Sequence, residues 1–208
     1  MKVLVLNGSA KAKGCTARAL EEVCNILHAE GIETETYVLG GKVKHDCVGC
    51  NSCEKLGRCV YNDDVINELG EKFRDADGLL VGTPVYYAHA SGSIMSALDR
   101  LFYSTSYDKS MKVGAAVVSS RRGGSTSAFD DINKHFTIAS MPIVSSTYWN
   151  EVHGFTAEDV EKDLEGLQTM RNLGRNMAFL IKAIRDAKEK YGLPEKEREY
   201  FTSFPDGL

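Results

Sequence analysis

No long apolar run is present: nothing in the 208 residues approaches the ~20 consecutive apolar positions that a bilayer-spanning helix needs. The start, Met1-Lys2-Val3-Leu4-Val5-Leu6-Asn7-Gly8, has too short an apolar part for a secretory signal, and no small-residue cleavage site follows it. Basic tracts are missing as well. With 25 Lys and Arg against 29 Asp and Glu, the net charge of -4 argues against nucleic acid or an anionic membrane surface as a partner. No linker rich in Pro, Gly or Ser, no repeat and no low-complexity segment divides the chain, so one cytoplasmic domain over residues 1–208 is expected. What is there fits an ordinary globular protein, with 43% hydrophobic and 26% charged residues. A chain of this size buries roughly 70% of its unfolded surface and needs no disulfide or metal staple. Yet it holds 6 cysteines, and those at 47, 50, 53 and 59 crowd into one short segment. In a reducing compartment they are no disulfide framework, so the crowding needs another chemical reason.

Strand-like and helix-like segments alternate along the chain. Lys2 to Leu6 is a short buried strand ending in Asn-Gly-Ser. From Thr16 to Ala29, Leu20, Val23, Cys24 and Leu27 recur at helical spacing, and Gly31 ends the pattern. Glu33 to Leu39 alternates like an edge strand. Asp63-Asp64 open a helix carrying Ile66, Leu69, Phe73 and Ala76 on one face. Strands at Gly78 to Gly82, Val113 to Ser119 and Ile143 to Ser146 are separated by helices over Ser91 to Phe102 and around Phe129 to Ala139. A long last helix is expected at about 156–191. Such alternation predicts an α/β fold, an open parallel five-stranded sheet with helices on both faces, ordered in Rossmann-like or flavodoxin-like fashion. In either order ligands bind at the carboxyl ends of the strands beside the switch point, which directs attention to the loops after strands one, three and four. A cysteine-rich loop at 45–62 follows strand two at the same end.

The first of these loops, Asn7 to Thr16, leads from strand to helix. Backbone N–H groups at a helix start attract an anion; hydroxyls on Ser9 and Thr16 can donate to phosphate oxygens, and Lys11 or Lys13 can add charge. The spacing is neither a Walker loop nor the dinucleotide G-x-G-x-x-G, and a plain strand–helix turn is the bland alternative. The second loop carries Tyr86-Tyr87, suited to packing on a flat aromatic ligand but common also as core or interface filler. The third, Ser119 to Ser125, brings Arg121-Arg122 and Gly123-Gly124; paired arginines are often merely solvated. Convergence of all three on one crevice is the stronger signal.

The cysteines are spaced Cys47-x2-Cys50-x2-Cys53-x5-Cys59. Structural zinc favours two pairs set well apart, whereas three thiolates at this interval resemble the compact run that wraps an iron–sulfur cubane, with Cys59 as fourth ligand. Zinc and free redox-active thiols remain alternatives. Cys24 sits on a buried stripe as a small hydrophobe. Cys15, at a helix start, is not read as a nucleophile because an anion bound there opposes thiolate formation. The five histidines show no ligand spacing.

Taken together, Gly8-Ser9 with Gly14-Cys15-Thr16, the cysteine spacing followed by Asp63-Asp64, and Thr83-Pro84-Val85-Tyr86-Tyr87 leading to Leu98-Asp99-Arg100 resemble the iron–sulfur flavoproteins of the NADPH-dependent FMN reductase group. The resemblance covers about residues 1–150 and implies a flavodoxin-like sheet ordered 2-1-3-4-5. It implies that Ser9, Lys11, Gly14, Cys15 and Thr16 hold the FMN phosphate. Pro84, Val85, Tyr86 and Tyr87, with Ser119, Arg121, Gly123 and Gly124, would contact the ribityl chain and ring. Cys47, Cys50, Cys53 and Cys59 would carry a [4Fe–4S] cluster. The implied activity is electron transfer from NAD(P)H or a ferredoxin-type donor to a flavin, quinone or protein, without a catalytic acid or base. Other readings are an iron–sulfur electron carrier lacking its own small-molecule substrate, and a zinc- or thiol-based redox sensor. A homodimer or homotetramer is expected from the aromatic residues Tyr86, Tyr87, Phe102, Tyr103 and Tyr107 near the site.

Overall fold

A computed structural model of the chain describes residues 1–197, 199, 200 and 202. Strands β1 (Lys2–Asn7), β3 (Gly78–Tyr86) and β5 (Val113–Ser120) are apolar at successive positions, as strands covered on both sides must be. Val3, Val5, Leu80, Ala115 and Val117 face one side and pack beneath α1 (Cys15–Ala29) and α7 (Leu164–Tyr191). Leu4, Leu6, Leu79, Val81, Ala116 and Val118 face the other, beneath α3 (Ile66–Arg74), α4 (Gly92–Ser104) and α5 (Ser125–Ile138). With β2 (Glu33–Val38) and β6 (Glu151–His153) at the borders, the order is β2-β1-β3-β5-β6, all pairs parallel. The two-residue β4 (His89–Ala90) folds back antiparallel onto the end of β3. Apart from β4, this is the expected 2-1-3-4-5 arrangement. The chain leaves β1 toward β2, returns past it to β3, and so puts the switch point between the loops after β1 and β3.

Two expectations are corrected. Ile143 to Ser146 is not the last strand: Ile143 makes a single bridge to Gly114, and Val144 plugs the core. The border position is shared, with residue 143 meeting the start of β5 and β6 pairing its end at Val118 to Ser120. A strand of three residues, Glu-Val-His, is too short to announce itself by alternation. Nor is the last helix continuous over 156–191. It divides into α6 (Ala157–Val160) and α7 because Asp163 leaves helical geometry and caps α7, accepting from the N–H groups of Gly166 at 2.9 Å and His153 at 2.6 Å.

Candidate functional site

The loop after β1 is held from both sides. Gly8 N–H donates to Gly82 O at 2.8 Å, and the hydroxyl of Ser91, the cap of α4, donates to Gly8 O at 2.9 Å. Asn7 Oδ1 accepts from Ser9 N–H at 2.9 Å and Ser9 Oγ from Lys11 N–H at 3.1 Å, which curls the segment over the end of the strand. α1 then starts at Gly14 with no side-chain cap and no acidic residue in its first turn, so its leading N–H groups are left for another acceptor. A Cβ at Gly82 would lie 2.7 Å from Leu20 and 2.9 Å from Thr16; its absence lets α1 settle directly onto β3.

These elements enclose a crevice of about 330 Å³. Ser9, Thr16, Ser119 and Ser120 are buried in its wall, and the hydroxyls of Thr16 and Ser119 meet at 2.8 Å. Ser120 Oγ is buried without a partner among the described residues. Lys11, Lys13, Gly14 and Cys15 line the side toward α1, and Pro84, Val85, Tyr86 and Arg121 the side toward β3 and β5. Three of the expected residues stand back from the crevice wall. Tyr87 is 101% exposed in a left-handed turn with Ala88, and Gly123 has open space around it. Gly124 is structural: at φ +92, with a Cβ position 2.6 Å from Ala88 Cα, it clamps the loop after β5 against the loop after β3.

The far wall, Gly154 to Glu158, was not foreseen. Its signal was present, since Thr156 and Asp159 form a capping box, but a strand placed at 143–146 left no reason to look beyond β6. Cys15 donates its thiol to Gly154 O at 3.5 Å, and burial pushes its pKa up, so it is not activated. A backbone N–H and the Thr156 hydroxyl hold Glu158 ionised below the usual carboxylate range, one negative charge facing Lys11, Lys13 and Arg121. An uncapped helix start, buried hydroxyls with one unpartnered, and an excess of cations fit a phosphate monoester. Tyr86, 51% exposed, and the exposed Phe155 form an aromatic rim suited to a flat ring. The residues present therefore fit FMN.

A second, much smaller cavity of about 20 Å³ is lined by all four of Cys47, Cys50, Cys53 and Cys59, each a free thiol. The short helix α2 (Cys53–Leu56) ends on Gly57 at φ +66, and this turn returns the chain toward Cys59. Asn67 then pins Cys59, accepting from its N–H at 3.0 Å and donating to its carbonyl at 3.1 Å. The Ser52 hydroxyl lowers the Cys50 pKa, whereas burial raises that of Cys53. Ser104 Oγ, also on this wall, is buried without a partner among the described residues. Among those residues no three His, Cys, Asp or Glu side chains converge on a single-ion position; the four cysteines line a shared cavity instead. An unpartnered hydroxyl and a guanidinium beside four thiols fit a sulfur-held group of net negative charge. The cavity and the crevice share no lining residue.

Arg100 and Asp64 are the pair that sequence reasoning missed. Asp64 was expected to open α3 and does accept from Ile66 N–H at 3.3 Å, but its principal partner is Arg100 in a buried ion pair. Burial opposes the Asp64 charge, yet Arg100 and the N–H groups of Lys44 and Ile66 hold its carboxyl below the ordinary value. The available signal was positional: Arg100 stands three residues after Ala97 and four before Ser104, both on the buried face of α4.

A parallel sheet of this order with its crevice at the switch point defines a flavodoxin-like protein. A flavodoxin, the WrbA-like protein of Agrobacterium tumefaciens, matches with a TM-score of 0.61 at 15% identity, over 89% of this chain and 98% of that one. RosB, solved with bound 8-demethyl-8-formylriboflavin-5'-phosphate, matches with a TM-score of 0.71 at 14% identity, over 99% of this chain and 93% of that one. Residues 1–156 match the model of the NADPH-dependent FMN reductases, and the chain belongs to that family. An iron–sulfur flavoprotein of Methanocaldococcus jannaschii is 35% identical over 193 residues, 89% of this chain and 100% of that protein.

Proposed function

We propose that this chain is an FMN-dependent oxidoreductase taking electrons from NAD(P)H or a ferredoxin-type donor and passing them to a flavin, quinone or protein. The observation that carries the reading is one crevice joining an uncapped helix start, four buried hydroxyls and three cations. Ser9, Lys11, Gly14, Cys15 and Thr16 hold the phosphate end; Pro84, Val85, Tyr86, Ser119 and Arg121 orient the ribityl chain and ring. Bound flavin supplies hydride and single-electron chemistry, and the protein supplies position, electrostatics and exclusion of water. No side chain is assigned a proton-transfer role: the thiol of Cys15 donates to Gly154 O, and of the paired Thr16 and Ser119 hydroxyls one donates to the other, leaving the second proton for a ligand oxygen. Cys47, Cys50, Cys53 and Cys59 hold a [4Fe–4S] cluster, a reading supported by their shared cavity and by the similarity to the iron–sulfur flavoprotein of Methanocaldococcus jannaschii. The exposed Tyr86, Tyr87 and Phe155 support a homodimer or homotetramer assembled around the crevice.

Strictly anaerobic purification followed by flavin, iron, sulfide and zinc analysis is the test. About one FMN and about four irons per chain are expected. Zinc, or no metal, would reduce the chain to an FMN reductase with a cysteine-rich loop. Retention of stoichiometric flavin in a folded Ser9→Glu/Thr16→Glu variant would overturn the phosphate assignment. Steady-state turnover with NAD(P)H and a dye separates the oxidoreductase from an electron carrier, which shows none.

A further inference from the structure

Arg100 lies in the C-terminal half of α4 with 1% of its surface exposed, one of the largest fully buried side chains among the described residues. Its guanidinium carries five N–H donors, and all five have acceptors. Nη1 donates to Asp64 Oδ2 and to His45 O, the latter at 3.1 Å. Nη2 donates to Asp64 Oδ1 at 3.0 Å and to Cys59 Sγ at 3.3 Å, and Nε donates to the same sulfur at 3.3 Å. The Tyr61 ring stacks on His45 and lies 5.5 Å from the guanidinium carbon. An ion pair with Asp64 alone would need only one edge of the fork. Here the carboxylate fixes the plane of the guanidinium so that its remaining edge meets one of the four cavity sulfurs.

We propose that Arg100 is a positioning residue that raises the reduction potential of the cluster held by Cys47, Cys50, Cys53 and Cys59, by donating two N–H hydrogen bonds to the Cys59 thiolate. The proposal rests on the cluster reading above. Taking up one electron from a reductant adds one negative charge to an already anionic, sulfur-ligated group. Donors on a ligand sulfur stabilise that more negative form, and such hydrogen bonds are among the factors that set cluster potentials. Lysine is not equivalent: its compact ammonium has three donors and no planar fork, so it cannot present two donors to the carboxylate and two to the sulfur at once.

The test is an anaerobic redox titration of loaded wild type and Arg100→Lys, with iron content, sulfide content and melting temperature measured on the same samples. The lysine variant is expected to fold and load, and to be at least tenfold harder to reduce, a shift of 59 mV or more to negative potential for one electron. An unchanged potential in a folded, loaded variant overturns the proposal. Should Arg100→Lys fail to load, Arg100→Gln/Asp64→Asn removes both charges of the pair and must show the same negative shift. A measurement on wild type alone decides the matter if neither variant loads. With 15N-labelled arginine, the reduced cluster must show hyperfine coupling to guanidinium nitrogen, and its absence overturns the assignment. Wild type that carries no iron under anaerobiosis fails differently, refuting the cluster reading itself before Arg100 is at issue.

Discussion

Adjacent glycines can have opposite sensitivities. Gly124 holds φ +92 with no room for a Cβ beside Ala88, whereas Gly123 faces open space. Gly124→Ala is expected to cost about 1–3 kcal/mol from backbone strain alone and to weaken flavin binding by freeing the two loops it clamps. Gly123→Ala should leave melting temperature and flavin affinity near wild type; equal effects at both sites would refute this division. Lys109 gives a pH signature. Burial pushes its pKa down from 10.5 to about 8. The folded state therefore gives up this proton more readily than the unfolded chain, and stability rises with pH through the window from about 8 to 10.5. In urea titrations the advantage of wild type over Lys109→Met should grow from pH 7 to pH 10; a flat difference would remove Lys109 as its source. Residues of the first loop were legible in the sequence because Ser9, Thr16 and the glycines sit where a strand hands over to a helix. Arg100 was not, because an arginine on an apolar face becomes meaningful only once Asp64, far away in sequence, is brought against it.

At the scale of elements, the wall of the crevice contributed by Gly154 to Glu158 depends on a capping box. The Thr156 hydroxyl accepts from Asp159 N–H at 3.4 Å, and Asp159 Oδ2 accepts from Thr156 N–H at 3.1 Å. Thr156→Ala should cost about 1 kcal/mol of local order. Passed on to the bound state, that is about a fivefold weaker flavin affinity, measurable by fluorescence recovery on dilution with little change in melting temperature. The helices and inner strands could be read from periodicity, since Leu20, Val23, Cys24 and Leu27 or Val3 to Leu6 leave few choices. The border strand could not: residues 143–146 are the more apolar stretch, but pairing along β5 is completed by Glu151–His153, which a period of two cannot distinguish from a turn.

At the scale of the molecule, the aromatic residues near the site divide into two groups. Phe102 and Tyr107 are half-buried against the core, where Phe102 packs against Phe73 and Phe136 and the Tyr107 hydroxyl donates to Gly70 O at 3.0 Å. Tyr86, Tyr87, Tyr103 and Phe155 remain exposed. Light scattering at micromolar concentration is expected to give at least a dimer mass, and Tyr87→Ser/Phe155→Ser to shift it toward the monomer. A monomeric wild type would refute the assembly.

The borders of the sheet limit how such an assembly can be built. β2 presents Glu33 and Glu35 along its length, and Glu35 is drawn into a charged cluster with Lys2 and Lys72. β6 offers only three residues, and the loop beyond it is gathered into the Thr156 capping box. Neither margin is a long, flat, apolar ladder on which another chain could template itself. Strand addition between copies is thus disfavoured at both margins, which leaves helices and loops as the surfaces on which an assembly would be built.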